Sequence, residues 1–300
     1  MVGEEIYKLI PYSLFDIQYS LATNASPQLK RQIHLALLAY KKNDYNYENV
    51  TDYLDEILDI DFSNDEHTRR DYCIDGVVGL IIQVINTLKE KIEKQNEPYI
   101  LVYFNSMGRL RASFESSVVL LRYGYYIESS PVFRLIYEQI AWSHSIIGKD
   151  IDEINKTKVT GQIKILNELI PNSKKLYGKY SAEAHLDPSE ISSYFIENSE
   201  NNGVGHRYRS GERSKIKYYD IFFLSTLYCK SIYKFFEHIG VLNDSTIINT
   251  PTGQISMTVK EQLDITMKSI QIFENTFSET IGEEYDEELP EIKILEDMMV

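Results

Sequence analysis

Between residues 69 and 95, apolar side chains return every three or four positions, at Ile74, Val77, Val78, Ile81, Ile82, Ile85, Leu88 and Ile92. That spacing is the 3.6-residue period of an α-helix, and an apolar stripe of several turns gains free energy only when other elements cover it. A largely buried helix is predicted. Gly76 and Gly79 lie within it. They cost helix propensity, but small residues one turn apart let a neighbouring helix approach closely.

The same period governs most of the chain. Glu97-Pro98 opens a segment in which Leu101, Phe104, Met107, Leu110, Phe114, Val118 and Leu121 recur as far as Arg122, and Gly124 breaks it. Ser130-Pro131 stands at or near the start of a helix running to Ile147, with Phe133, Ile136, Tyr137 and Ile140 on its apolar side, so the two form a helical hairpin. Ser26-Pro27 supplies an N-cap and a first-turn proline for a helix through Leu29, Ile33, Leu37 and Tyr40. Val50 to Leu58 repeats the pattern, and further helices are expected over 161–169, 174–184, 216–239 and 259–281. Strand signals are scarce, and 197–213 reads as an interior loop. The expectation is an all-α, compact multi-helix bundle with a central long helical hairpin. It comprises an N-terminal helical segment (1–65), a main bundle (66–282) and an acidic C-terminal tail (283–300). No repeat of 20 to 50 residues points to a solenoid.

With 300 residues, 43% of them hydrophobic and 25% charged, the chain can bury a sizeable core. Its net charge of −14 opposes the general attraction that non-specific nucleic-acid binders use. Two distant cysteines, Cys73 and Cys229, encode neither a zinc knuckle nor a disulfide framework and suit a reducing compartment. The start lacks a cationic, apolar signal, and the best apolar runs fall short of the roughly 20 residues that cross a bilayer. A cytoplasmic protein without a membrane span is expected.

Several chemistries lack their motifs. There is no Walker loop, no nucleophile elbow, and no His-x-x-x-His or Glu-x-x-His pair among the six histidines, so neither cofactor nor metal is expected. Gly203-Val204-Gly205 is only a fragment of a dinucleotide fingerprint, with Tyr208 in place of the third glycine.

Three constellations remain. Arg109, Arg111, Glu115, Arg122, Arg134 and Glu138 concentrate charge in the core-rich hairpin. Arg134 and Glu138, one turn apart, either make an ordinary ion pair or position a catalytic or binding group. Tyr177, Ser181 and His185 follow at intervals of four before Pro188, so Ser181 and His185 share a helix face. His185 near a helix end suits proton transfer or a structural hydrogen bond. The third is a basic stretch in an acidic chain, with His206, Arg207, Tyr208, Arg209, Arg213, Lys215 and Lys217. It could contact phosphates and stack a base, dock an acidic segment, or be a solvated loop.

The Arg134-x-x-x-Glu138 helix after a Leu-Leu-Arg-x-Gly turn, with Tyr-x-x-x-Ser-x-x-x-His and a nearby proline, resembles a family of uncharacterised bacterial helical proteins. That family is similar to the HEPN superfamily of helical toxin and defence proteins, many of which cleave RNA without metal. The resemblance covers about residues 100–190. It departs from the superfamily in one respect: no arginine stands four to six residues before a histidine. What it implies is a setting in bacterial or phage conflict. The absence of every strong catalytic motif and the net charge of −14 point first to an interaction or effector protein that binds a protein partner in that setting, and helical hairpins with aromatic seams suit a homo-oligomer. The alternative is a metal-independent HEPN-like ribonuclease using His185 and Arg134, with Glu138 and Ser181 as further site residues. Whether the chain is an enzyme stays open at this stage.

Overall fold

The computed structural model describes residues 9–14, 17–22, 25–42, 46, 65–93, 95–185, 195–198, 203–206, 211–250 and 253–281. The first described element is an antiparallel hairpin, β1 (Leu9–Leu14) and β2 (Ile17–Ala22), and the next described helices are α1 (Pro27–Lys42), α2 (Asp65–Ile92), α3 (Pro98–Arg122) and α4 (Ser129–Ser145). The short α5 (Ile151–Lys156) and two 3₁₀ turns, Val159–Gly161 and Ile163–Glu168, lead to α6 (Lys174–Ala184). A second hairpin, β3 (Phe195–Asn198) and β4 (Gly203–His206), precedes α7 (Gly211–His238). A third, β5 (Ser245–Thr250) and β6 (Gly253–Thr258), runs into α8 (Val259–Ile281). The fold is all-α in class; among the described residues helices form the body, with three two-stranded hairpins attached.

α7 is the axis. From Asp220 to Cys229 every residue except Thr226 is buried, and a helix apolar around its whole circumference must be covered on all sides. α2, α3, α4 and α8 cover it. Tyr103 of α3 stacks flat on Phe235 with ring centroids 4.0 Å apart, and Phe114 meets Tyr228 edge-on at 5.9 Å. Each fully buried side chain of this kind contributes about 1.5–3 kcal/mol of transfer free energy. The expected helical hairpin is α3 and α4, reversing at Gly124, whose φ of 78° is open to glycine at no steric cost. Arg122 bridges this turn to α2 through Asp75 at 2.9 Å.

Some expectations change. Residues 163–168 form 3₁₀ rather than α turns, as short segments commonly do. The interior loop contains the β3–β4 hairpin, and α7 begins at Gly211, so the end of the basic stretch is helical. The N-terminal hairpin went unforeseen because six-residue strands carry too few alternations to show a period of two. The helix expected over 50–58 and the acidic tail 283–300 lie outside the described residues. Tyr72–Ile92 is long and apolar enough by length and composition to cross a bilayer, contrary to the reading of its apolar runs as too short. Here the core takes up that apolarity: Cys73, Ile74, Val77, Val78, Ile81, Val84 and Leu88 are all buried.

The two glycines of α2 behave differently. A Cβ on Gly76 would stand 2.5 Å from Cζ of Phe273 on α8, whereas one on Gly79 would meet nothing within 4 Å. Gly76 therefore admits α8, and Gly79 does not serve that purpose. Gly76→Ala should destabilise the protein by about 1 kcal/mol, overpacking exceeding the gain in helix propensity. Gly79→Ala should stabilise it by about 0.5–1 kcal/mol. Urea unfolding of the two variants checks this, and equal stabilisation of both would remove the close-approach explanation.

Candidate functional site

α4 presents Ser130, Arg134 and Glu138 at intervals of four, and α6 presents Tyr177, Ser181 and its capping residue His185 at the same interval. Residues four apart share a helix face, so each helix carries one polar stripe. The two helices pack together, sealed from within by Phe133 against Tyr180 (5.7 Å between centroids) and Tyr137 against Tyr177 (5.5 Å). α6 ends at His185, whose N–H reaches both Ser181 O (3.1 Å) and Ala182 O (3.3 Å) in a tightened last turn.

Arg134 Nε donates to Glu138 Oε1 at 2.9 Å, and the Tyr177 hydroxyl donates to the same oxygen at 2.8 Å. The guanidinium carbon lies 5.7 Å from the centre of the Tyr177 ring. Burial, joined by the Glu138 carboxylate, pushes the Tyr177 phenol up, so it remains a donor at neutral pH. Arg134 Nη1 donates to His185 Nε2. A guanidinium has no acceptor, so Nε2 accepts and the ring proton sits on Nδ1. His185 is exposed and Arg134 half-buried, so the pair is open to solvent on one side. A guanidinium beside a neutral imidazole can bind an anion and exchange a proton at one place.

Behind the pair lies a second, buried polar group. Lys217 of α7 donates to Ser130 Oγ at 3.0 Å and to Glu183 of α6, and Ser130 also donates to Glu183. Asp220, one turn along α7, is 4.0 Å from the same ammonium. Among the described residues, neither Asp220 Oδ2 nor the buried Tyr180 hydroxyl forms a hydrogen bond of normal geometry, although each lies in the other's field. Burial favours a protonated Glu183, but the charges of Lys217 and Lys179 and the bonds from Lys217 and Ser130 outweigh it and hold the carboxyl low. For Asp220 burial prevails over the same two lysines, and its carboxyl is pushed up.

No family model, curated protein or solved structure matches the chain.

Of the residues singled out in the sequence, the fold joins Arg134, Glu138 and His185, the last 51 positions from the first. Ser181 shares a face of α6 with His185 and accepts its backbone N–H through the carbonyl, but its hydroxyl makes no hydrogen bond among the described residues. Lys217, expected on the basic surface, is instead 6% exposed and engaged inside the protein, so it cannot contact a phosphate there. Its charge drew it into the predicted surface stretch, whereas the helical period of α7 turns it inward. Lys215 is half-buried in the same helix, and His206 ends β4. Arg207, Tyr208 and Arg209, with the side chains of His206 and Arg213, lie outside the described residues. Arg111 pairs with Glu115 at 2.9 Å. His34 is buried and bonded to Lys30 O at 2.8 Å, and His144, pushed down by burial, lies 3.4 Å from Ser231. Among the described residues no three His, Cys, Asp or Glu side chains cluster so as to hold a metal ion. Sequence reasoning placed Tyr177 in the stretch that carries Ser181 and His185 but gave it no role, and it missed Ser130, Glu183 and Asp220 as members of the site. Asp220, a lone acid in an apolar run, was the one available signal.

Glu183 and Asp220 have opposite linkage. Glu183, held below its ordinary 4.5, supports folding above that value, and the support fades as pH falls through its lowered value. Asp220, held above its ordinary 3.8, favours the folded state while protonated, and that contribution is lost as pH rises through its raised value. Glu183→Gln should therefore cost about 3 kcal/mol at neutral pH by stranding Lys217. Asp220→Asn should gain about 1 kcal/mol there by removing the surplus buried charge, a gain that vanishes on acidification. Urea titrations at two pH values test both, and equal losses would overturn this division of roles.

Proposed function

We propose that the chain is a HEPN-like helical effector of bacterial or phage conflict that cleaves RNA without a metal at the Arg134–His185 pair. The observation that carries this reading is that contact, made between two helices at a solvent-open seam. It supplies in space the arginine and histidine that no short motif supplies in sequence.

The chemistry follows from the groups. A phosphodiester drawn to Arg134 competes for the guanidinium and frees His185 Nε2. The imidazole then takes the proton of a ribose 2′-hydroxyl, whose oxygen attacks phosphorus. Arg134 stabilises the added charge on the phosphoryl oxygens, and the departing 5′-oxygen receives the proton back from the imidazolium. Glu138 and Tyr177 hold the guanidinium in place. The substrate class agrees with the local charge. α6 carries Lys174 and Lys175 in exposed positions and Lys179 beside them, while its one acid, Glu183, is occupied by Lys217. A polyanion thus meets a positive helix on a protein of net charge −14.

The reading as an interaction protein draws on a different observation. Ile265 and Ile272, two turns apart on α8, are 51% and 61% exposed, and Ile247 of β5 is 59% exposed. Apolar side chains so open suit a protein partner or a second copy.

The decisive assay is cleavage of labelled single-stranded RNA by the wild type, His185→Ala and Arg134→Ala, each checked for folding by circular dichroism. The expected losses are about 10²–10⁴-fold for His185→Ala and about 10²–10³-fold for Arg134→Ala. Undiminished cleavage by folded His185→Ala would overturn the assignment, and an inactive wild type would favour the interaction reading.

A further inference from the structure

The last turn of α6, which ends in His185, lacks the apolar anchorage of the turns before it. Leu176 and Tyr180 are buried, but residues 181 to 184 are only partly so and His185 is exposed. A short helix left to itself frays at such an end. What holds this end is Glu183, two residues before His185, through its ion pair with Lys217. The same ammonium reaches Ser130 at 3.0 Å, one turn before Arg134 on α4. Ser130 closes the triangle by donating to Glu183.

We infer that Lys217 is a positioning residue for the Arg134–His185 pair, fixing the end of α6 against the start of α4 so that imidazole and guanidinium meet. This rests on the reading of that pair as the functional site. One buried cation touches both elements that carry the pair, and it is itself rigid. Three residues further on begins the fully buried stretch of α7, and Asp220 at 4.0 Å and the Tyr180 ring at 6.0 Å confine the ammonium laterally. Directional hydrogen bonds fix a helix end more narrowly than apolar contacts, and displacement by about 1 Å at a reacting centre can cost on the order of 100-fold in rate.

Lys217→Met keeps most of the stem and removes the ammonium. In the full-length protein, the ring ¹⁵N resonances of His185 and the Nη resonances of the Arg134 guanidinium report their contact directly, which general destabilisation does not move in a folded sample. Folded Lys217→Met should shift both sets of signals away from wild type, and kcat for RNA should fall about 10–100-fold with KM little changed. Ser130→Ala removes the hydroxyl between the charges and leaves the ion pair, so it should move the same signals by less. It also carries the test alone should Lys217→Met not fold. Wild-type signals from both atoms in a folded variant would overturn the inference whatever the cleavage rates. An inactive wild type would count against the ribonuclease reading, and the signals would still decide this one.

Discussion

The burial of α7 on all sides between Asp220 and Cys229 is the constraint from which the rest of the architecture follows. A helix with Ile221, Phe222, Phe223, Leu224, Leu227, Tyr228 and Cys229 buried around its circumference has no face to offer to water. The long helices α2, α3, α4 and α8 must surround it, and the Tyr103–Phe235 stack and the Phe114–Tyr228 contact fix how α3 lies against it. The Cys229 thiol, pushed up to about 12 by this burial, is a core side chain rather than a reactive one. Where the apolar stretch gives out towards the start of the helix, Asp220 and Lys217 take its place, one turn apart. The molecule's axis therefore carries two buried charged side chains.

Those charges are a poor way to gain stability. Desolvating a lysine and two carboxylates costs several kcal/mol per ion before any attraction is counted, and well-packed apolar side chains often do as well or better. What they supply is direction. Lys217 points at Glu183 and Ser130 together, and through them at the ends of two helices that apolar packing alone would leave free to slide. The raised carboxyl of Asp220 is the electrostatic consequence of giving one well-placed ammonium two acids.

The overall charge and the site pull in opposite directions. A chain of −14 repels polyanions at long range, yet α6, the helix that ends at His185, carries Lys174, Lys175 and Lys179. With a Debye length of about 8 Å at physiological salt, the nearest charges dominate what a ligand at the seam experiences. A local positive helix on a negative protein suits selective contact rather than general adhesion, in keeping with the proposed action on RNA.

The sequence by itself determined the long helices, because a 3.6-residue apolar period is a local property. The bounds of α3, α6 and α8 fall where Pro98, Ala184 and Val259 place them, and the turn after α3 falls at Gly124. It also showed that Arg134 and Glu138 share a face, as do Ser181 and His185, since intervals of four are fixed by helix geometry. It could not show that the two stripes face each other, because the contact between Arg134 and His185 spans 51 residues and depends on how α4 and α6 pack. Nor could it separate Lys217 from the surface cations around it. A lysine's charge is written in the sequence, but whether that charge meets water or a buried carboxylate depends on which way a packed helix turns it, and the tertiary structure alone decided that.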